Sequence, residues 1–439
     1  MTRYARILAI GAALLLLATG CTSSPSDGTG GGGPGGMAAK GSTKGLTANT
    51  IKIGFLGADF GALAKAGLTP DLGDQEKVIK AAVDEVNANG GIAGRKIELR
   101  AKIVDGLGGP AVLQAACLDM TQDFGAFAVI IAPAVPRAIG QCISVAQKTL
   151  TLAATGFDQA LYDQADGRLF TAGTVLSMST DRQFAGWPQL LDERGLLKGK
   201  TIGIVGSEQL PELVSATKEG LLPSLEKLGY KVAVNATLPC DAGGTCTQQA
   251  AAVQKLKDGN VDFVFMTAAN TVGPTIVQAA NNIDYHPQWS ANGNQVTDTV
   301  AKFFKSVKDD WDGTIGVSAV YNLPKDIGPE AKACNKVATT RGKVTYKIGS
   351  DSFGQTAAIC LLVELLKDAG DTVKEADLNQ LTMIQAIEKQ TDPPMAAGPS
   401  GTLSATKHNA GNHLFLAIYD AAEGKFIPDG KPAIKVADR

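Results

Sequence analysis

From residue 50 onward, short apolar runs alternate with stretches in which apolar residues recur every three or four positions. The first run, Ile51-Lys52-Ile53-Gly54-Phe55-Leu56-Gly57, reads as a strand. Asp74 is placed to cap a helix whose stripe is Val78, Ile79, Ala82, Val83 and Val86, and Asn89-Gly90-Gly91 supplies the positive φ that closes it. The scheme repeats with strand 96–104, a helix opened by Pro110 with Val112, Leu113, Ala116, Cys117 and Met120 inward, strand 128–132, a helix over 139–147 and strand 149–154. A second series starts at Thr201-Ile202-Gly203-Ile204-Val205-Gly206 and continues through a helix to Leu228, strand 231–238, a helix over about 246–257 and strand 261–268. Helices follow near 328–340, 352–369 and 377–390, then extended segments around 401–406 and 413–420.

Apolar strands without alternation must be covered on both faces, and parallel strands linked by helices meet that requirement. The expectation is an α/β protein with two doubly wound parallel sheets. Strand-to-helix turns then gather at the C-terminal sheet edges, where such sheets bind ligands.

The N-terminus follows another pattern. Arg3 and Arg6 precede an apolar run of 11 residues from Ile7 to Leu17, long enough for a secretion signal and short of the ~20 residues that cross a bilayer. Its ending, Leu17-Ala18-Thr19-Gly20-Cys21, resembles the lipobox of bacterial lipoproteins, which implies a lipid on Cys21 and an extracytoplasmic protein anchored to the cell membrane. Residues 22–48 hold nine Gly without apolar periodicity and read as a disordered tether.

Composition narrows the function. Lys plus Arg (41) nearly balance Asp plus Glu (43), so no basic field exists to neutralise phosphates, and nucleic acid is excluded as a partner. With Cys21 set aside, six Cys remain, an even number in an exported chain. Cys240 and Cys246 bracket a short loop and form the first expected pair; Cys117 with Cys142 and Cys334 with Cys360 are the sequence-nearest pairings, with buried free thiols as the alternative.

The segments IKIGFLGADFG (51–61), AAVDEVNANGGIAGRKIELRAKIVDG (81–106), LEKLGYKV (225–232), VDFVFMTA (261–268) and GPSGTLSATKHNAGNHLFLAIYDAAEGKF (398–426) resemble, in that order, the type I periplasmic solute-binding proteins of ABC importers, in the branched-chain amino-acid-binding branch. The resemblance implies two lobes, 49–174 with 323–396 and 175–322 with 397–439, joined by hinge crossings near 174, 323 and 396. It implies a monomer without cofactor that binds a small polar solute between the lobes and hands it to ABC permease subunits.

Members of that branch commonly hold the ligand's carboxylate with a hydroxyl in the loop after the third strand and its ammonium with an acid on the second lobe. Here the first loop reads Pro133-Ala134-Val135-Pro136-Arg137, Gly293 falls where the acid is expected, and Leu210 falls near the usual Tyr. These departures, with a long loop from Ala58 to Gly73, point away from a standard aliphatic amino acid.

Candidate ligand-binding residues follow from position at strand ends: Asp59, Phe60, Arg137, Gly156, Asp158, Asn270, Asn292 and Asn294, with Tyr321 near a hinge crossing. Arg137 suits an anion, or a salt bridge to Asp158; Asp158 suits an amine or sugar hydroxyls; the Asn residues suit amides or polyols, or serve as turn formers. Phe60, Trp289 and Tyr321 offer apolar walls or core.

Motifs for chemistry are lacking. Gly195 to Thr201 imitates a phosphate loop but has three residues between its glycines and precedes a strand. His408 and His413 flank a turn-like string and read as a surface turn, so no metal site is expected. The chain reads as a binding protein, with a sensory lipoprotein of the same fold as the alternative and an exported enzyme behind it.

Overall fold

The computed structural model describes residues 41–59, 61–65, 73–105, 108–133, 135–174, 177–240, 245–293, 295–296, 298–319, 327–344, 351–398 and 401–438. The expected secretion signal, Cys21 and most of the expected tether lie outside these residues, as do Phe60, Asn294 and Tyr321.

Among the described residues the strands form two sheets. The first has the order β2-β1-β3-β4-β5, from β1 (Thr50–Asp59), β2 (Lys96–Asp105), β3 (Ala128–Ile131), β4 (Leu150–Ala153) and β5 (Leu169–Thr171), all parallel. β3 and β4 are buried at every position, as apolar runs covered on both faces must be. Helix α2 (Gln75–Ala88) starts where Asp74 accepts the Lys77 N–H at 2.9 Å and buries the expected stripe. Helix α3 (Gly109–Leu118) departs from expectation at Val112, which is exposed although it shares a face with Ala116 and Met120: it sits in the first turn, and full burial begins only at Ala116.

The second sheet repeats the same winding in β7-β6-β8-β9-β10, from β6 (Ile202–Ser207), β7 (Val232–Leu238), β8 (Phe263–Thr267), β9 (Gln288–Ala291) and β10 (Ile315–Ser318). It is not wholly parallel. β11 (His413–Asp420) runs antiparallel to β10, and β12 (Lys425–Pro428) and β13 (Ile434–Lys435) run antiparallel to β11. The hairpin from β11 to β12 needs only a tight turn, whereas a further parallel strand would need a helical crossover.

Apolar residues from 51–172 and 327–410 form one core, and those from 178–319 and 414–436 form two layers on either face of the second sheet. The chain segments between the cores run side by side: Gly173 pairs with Met395 and Ile327 with Ala397. The third change of core falls between Ala410 and Leu414, later than the 396 expected. The reason is local: 408–410 lies along β5, with the Thr171 N–H donating to the His408 carbonyl at 2.9 Å and the Ala410 N–H to that of Thr171 at 2.8 Å. Residues near 404 accordingly form a turn closed by Ser404 and Lys407, not the extended segment expected.

The expected tether also ends sooner. Residues 41–48 lie on the first core, where Lys52 N–H donates to Gly45 O at 2.8 Å and Gln380 N–H to Ser42 O at 2.9 Å. Gly45, at φ +78°, would place a Cβ 2.4 Å from the Phe127 nitrogen, so no larger residue fits there.

The six cysteines lie in three pairs at bonding distance: Cys117–Cys142, Cys240–Cys246 and Cys334–Cys360, with sulfurs 2.03, 2.05 and 2.02 Å apart. These are the expected pairings.

Candidate functional site

Both sheets share the order second-first-third-fourth-fifth, so each has its topological switch point between its first and third strands. Loops leaving those strands diverge to opposite faces and open a crevice. On the first sheet these loops follow β1 and β3, and on the second β6 and β8.

After β3, Pro136 holds an extended conformation (φ −59°, ψ 142°) that launches α4 (Arg137–Gln141) with Arg137 at its first position. The Arg137 guanidinium forks onto Asp158, Nε donating to Oδ2 at 2.9 Å and Nη2 to Oδ1 at 2.8 Å. Nη1 donates to Gln141 Oε1 at 3.2 Å. Asp158 also caps α5 (Gln159–Ala165) by accepting the Leu161 N–H at 2.9 Å, so both of its oxygens are engaged. Of the two outcomes foreseen for Arg137, the structure forms the salt bridge. Gly156 lies half-buried in the same loop. Its neighbour Thr155, absent from the sequence expectations, buries a hydroxyl with no hydrogen-bond partner among the described residues.

Asp59 ends β1, exposed, and accepts the Gly61 N–H at 2.7 Å. On the second sheet Asn270 is half-buried before α10 (Gly273–Asn281). Asn292 is buried and donates Nδ2–H to the Met266 carbonyl at 3.1 Å, while Gln295 donates to that of Ala268 at 3.2 Å; together they tie the loop after β9 to the end of β8. Trp289 is core, 6.3 Å from the Trp311 ring. At Gly293 a Cβ would come 2.8 Å from Gln183 Oε1, so an acid there would have to displace that amide.

The structure adds one charged residue the sequence reading missed. Glu212, in the first turn of α7 (Pro211–Ala216) and just after β6, is half-buried. Burial pushes its carboxyl pKa up, its own backbone N–H and the charge of Arg137 hold it down, and the charge of Asp158 raises it again. Among the causes of that shift are charges of the first sheet's loops acting on a group of the second. The signal was present in the chain, because Glu212 follows a strand end as directly as Arg137 does.

The histidines correct an expectation. His408 is no surface turn: its ring lies 4.6 Å from that of Phe170 and its Nε2 is 3.0 Å from Glu388 Oε1. His413 starts β11, and burial lowers its pKa. Among the described residues one group has metal-ligating atoms close together, Cys334, Cys360 and Glu364, and both of its sulfurs are joined to each other. A metal has no vacant thiolate there.

The sequence pattern of the periplasmic binding protein family matches residues 50–424. The chain belongs to that family. Solved structures agree on the fold of this periplasmic binding protein. The branched-chain amino acid transporter substrate-binding protein LivJ of Streptococcus pneumoniae, in complex with isoleucine, is 18% identical over 88% of this chain and 100% of its own, with a TM-score of 0.61. The leucine-, isoleucine-, valine-, threonine- and alanine-binding protein of Brucella ovis, in a closed conformation, gives 16%, 89%, 97% and 0.65. A fatty acid ABC transporter substrate-binding protein of Thermomonospora curvata gives 16%, 90%, 95% and 0.59. No curated protein matches the chain significantly. The family is one of binding proteins, so this periplasmic binding protein captures a solute and is not an enzyme. Among the described residues no helix is long and apolar enough to cross a membrane.

Proposed function

We propose that the protein is an extracytoplasmic solute receptor, anchored through a lipid on Cys21, that captures a small polar solute between the strand-end loops of its two sheets and delivers it to an ABC importer. The observation that carries this reading is the match to the periplasmic binding protein family over residues 50–424, together with strand-end loops that open at a switch point in each sheet. The two lobes are the two cores, exchanging between open and closed arrangements about the segments near 173, 327 and 410. A solute touching both lobes binds the closed form more tightly and shifts the population toward it; one touching a single lobe shifts nothing. The closed surface is then what the permease recognises.

The fold neighbours bear names that range from isoleucine to a fatty acid, so the solute must be read from this chain's own groups. Those are polar: the Arg137–Asp158 pair, Glu212, Asn270 and the unpartnered Thr155 hydroxyl. They favour a hydrogen-bonding solute over an aliphatic one.

Thermal unfolding of the purified protein against amino acids, amides, sugars, polyols, polyamines and carboxylic acids tests the reading. A solute at 100 times its Kd adds about 2.7 kcal/mol, readily visible in the melting curve. A dose-dependent rise confined to one chemical class is expected; a flat response from a cooperatively melting protein across the panel overturns it.

A further inference from the structure

We propose that the second sheet carries an accessory binding site for a small uncharged polyhydroxy compound, a pentose or a sugar alcohol, in the cavity between α7 and the edge strand β7. The site is separate from the solute cleft, so the inference neither needs the receptor reading nor repeats it.

The floor of the cavity follows from strand register. Gly206 of β6 pairs with Thr237 of β7 on one side and with Thr267 of β8 on the other, so the three residues form one row across the sheet. Their side-chain positions share a face, and Asn235, two places before Thr237, shares it too. A Cβ at Gly206 would come 2.5 Å from Thr267 Oγ1. The glycine therefore leaves a notch between two hydroxyls that a larger residue would fill.

The wall is the chain from α7 onward, through a π turn at Thr217–Leu221 and a helical stretch at Leu222–Lys227. It lies tight against α6 (Thr180–Glu193): a Cβ at Gly220 would be 2.4 Å from the Asp181 carbonyl oxygen, and Ser224 Oγ donates to the Ala185 carbonyl at 2.6 Å. β7 is the last strand at its end of the sheet, and its Asn235 and Thr237 stay exposed. Between wall and floor lies a cavity of about 210 Å³. At ~30 Å³ per water it has room for about seven waters, below the ~300 Å³ at which pockets for drug-sized ligands begin.

The lining selects the ligand. Asn235 and Thr237 make no side-chain hydrogen bond among the described residues, and Thr267 Oγ1 donates only a long bond of 3.5 Å to the Val205 carbonyl. Thr217 donates to the Leu213 carbonyl at 2.7 Å and can still accept. Hydroxyl and amide groups both donate and accept, and ligand hydroxyls that do the same can pair with all four. Lys218, exposed at the rim, is 3.1 Å from Glu219, so its charge is offset and the lining has little with which to hold an ion. Val214 and Leu222 present apolar surface to the C–H face of a sugar ring or an alcohol chain. All of these residues lie between positions 206 and 267, within the second core. A ligand confined there leaves the balance of open and closed lobes unchanged.

Calorimetry and thermal melts of the whole protein with D-ribose, xylitol, succinate and putrescine decide it. Ribose or xylitol should bind at one site, and the two charged probes should not bind there. Two variants locate the binding: Asn235→Ala combined with Thr237→Val, which removes polar groups from exposed strand positions, and Val214→Trp, which fills the mouth from an exposed helix position. Each should melt cooperatively and weaken the polyol tenfold or more. If neither ribose nor xylitol binds the wild type, the proposal is wrong. If one binds and both variants leave its affinity unchanged, that compound belongs to the cleft, which supports the receptor reading and overturns this one. If succinate binds, the variants abolish its binding and neither polyol binds, the cavity holds anions and the polyol assignment fails.

Discussion

Arg137 and Asp158 lie 21 positions apart in the chain and close a two-point fork, with hydrogen bonds of 2.9 and 2.8 Å. The pair joins the loop after β3 to the loop after β4, and under the proposed receptor reading it would fix one wall of the cleft before any solute arrives. Preorganised walls of this kind lower the ordering cost of binding.

Asp158→Ala removes the fork and the α5 cap together, and strands a guanidinium that is 28% exposed. A helix cap is worth ~1 kcal/mol and breaking a buried pair up to ~3–5, so a loss of about 2–4 kcal/mol is expected for this partly exposed one. Asp158→Asn should lose less, since its remaining oxygen can still accept the Leu161 N–H. Urea unfolding checks both; an Asp158→Ala loss under about 0.5 kcal/mol would show that the fork does not hold the wall.

Glu364 of α14 (Asp351–Asp371) makes stability depend on pH. Burial first, then the charges of Asp368 and Glu330, raise its pKa to about 7, with Lys367 opposing. An acid whose folded pKa lies above its unfolded value contributes stability at low pH, and that contribution drains away as pH rises from about 4.5 to about 7. Glu364→Gln should flatten this slope and melt at a higher temperature than wild type above pH 7. Equal melting temperatures for the two proteins at pH 8 would contradict the assignment.

The three cysteine pairs close loops of unequal length, with separations of 25, 26 and 6 residues. In the chain-entropy account, opening either long loop costs about 3–4 kcal/mol and opening the short one about 2. Double Cys→Ala variants should therefore rank with Cys240/Cys246 the least damaging. Intact mass before and after reduction checks the oxidised state itself, with six hydrogens gained if all three bonds are present.

The strands and helices of the first sheet were legible because local patterning and burial agree there: Ile51 to Leu56 and Ala128 to Ile131 are apolar runs that end up in sheet interiors. Helix α6 (Thr180–Glu193) was not legible. It buries Thr180, Asp181 and Arg182, polar residues that mask its stripe. Arg182 is satisfied by partners distant in the chain: Asn409 Oδ1 at 2.6 Å, the Gly411, Val436 and Ala437 carbonyls at 2.9, 3.1 and 3.2 Å, and Asp438 Oδ1 at 2.9 Å.

Candidate site residues were legible to the extent that position along a strand-helix alternation places them at a sheet edge, which is how Arg137 and Asp158 were reached. Asn292 shows the limit of position alone, since its side-chain donor turns into the lobe to hold the Met266 carbonyl. Thr155 was missed because a hydroxyl becomes notable only when its neighbours leave it unpartnered.

By itself the sequence determined the winding of the two sheets, because hydrophobic periodicity is a local property that burial must respect wherever the chain goes. It also pointed to Cys240 with Cys246 as a pair, while leaving free thiols open for the other four cysteines. The tertiary structure alone decided which charges meet. Coulomb interactions and desolvation depend on distances between residues far apart in sequence, so only folding could set Arg137 on Asp158 and carry residues 408–410 to the edge of β5 before the chain crosses to the second core.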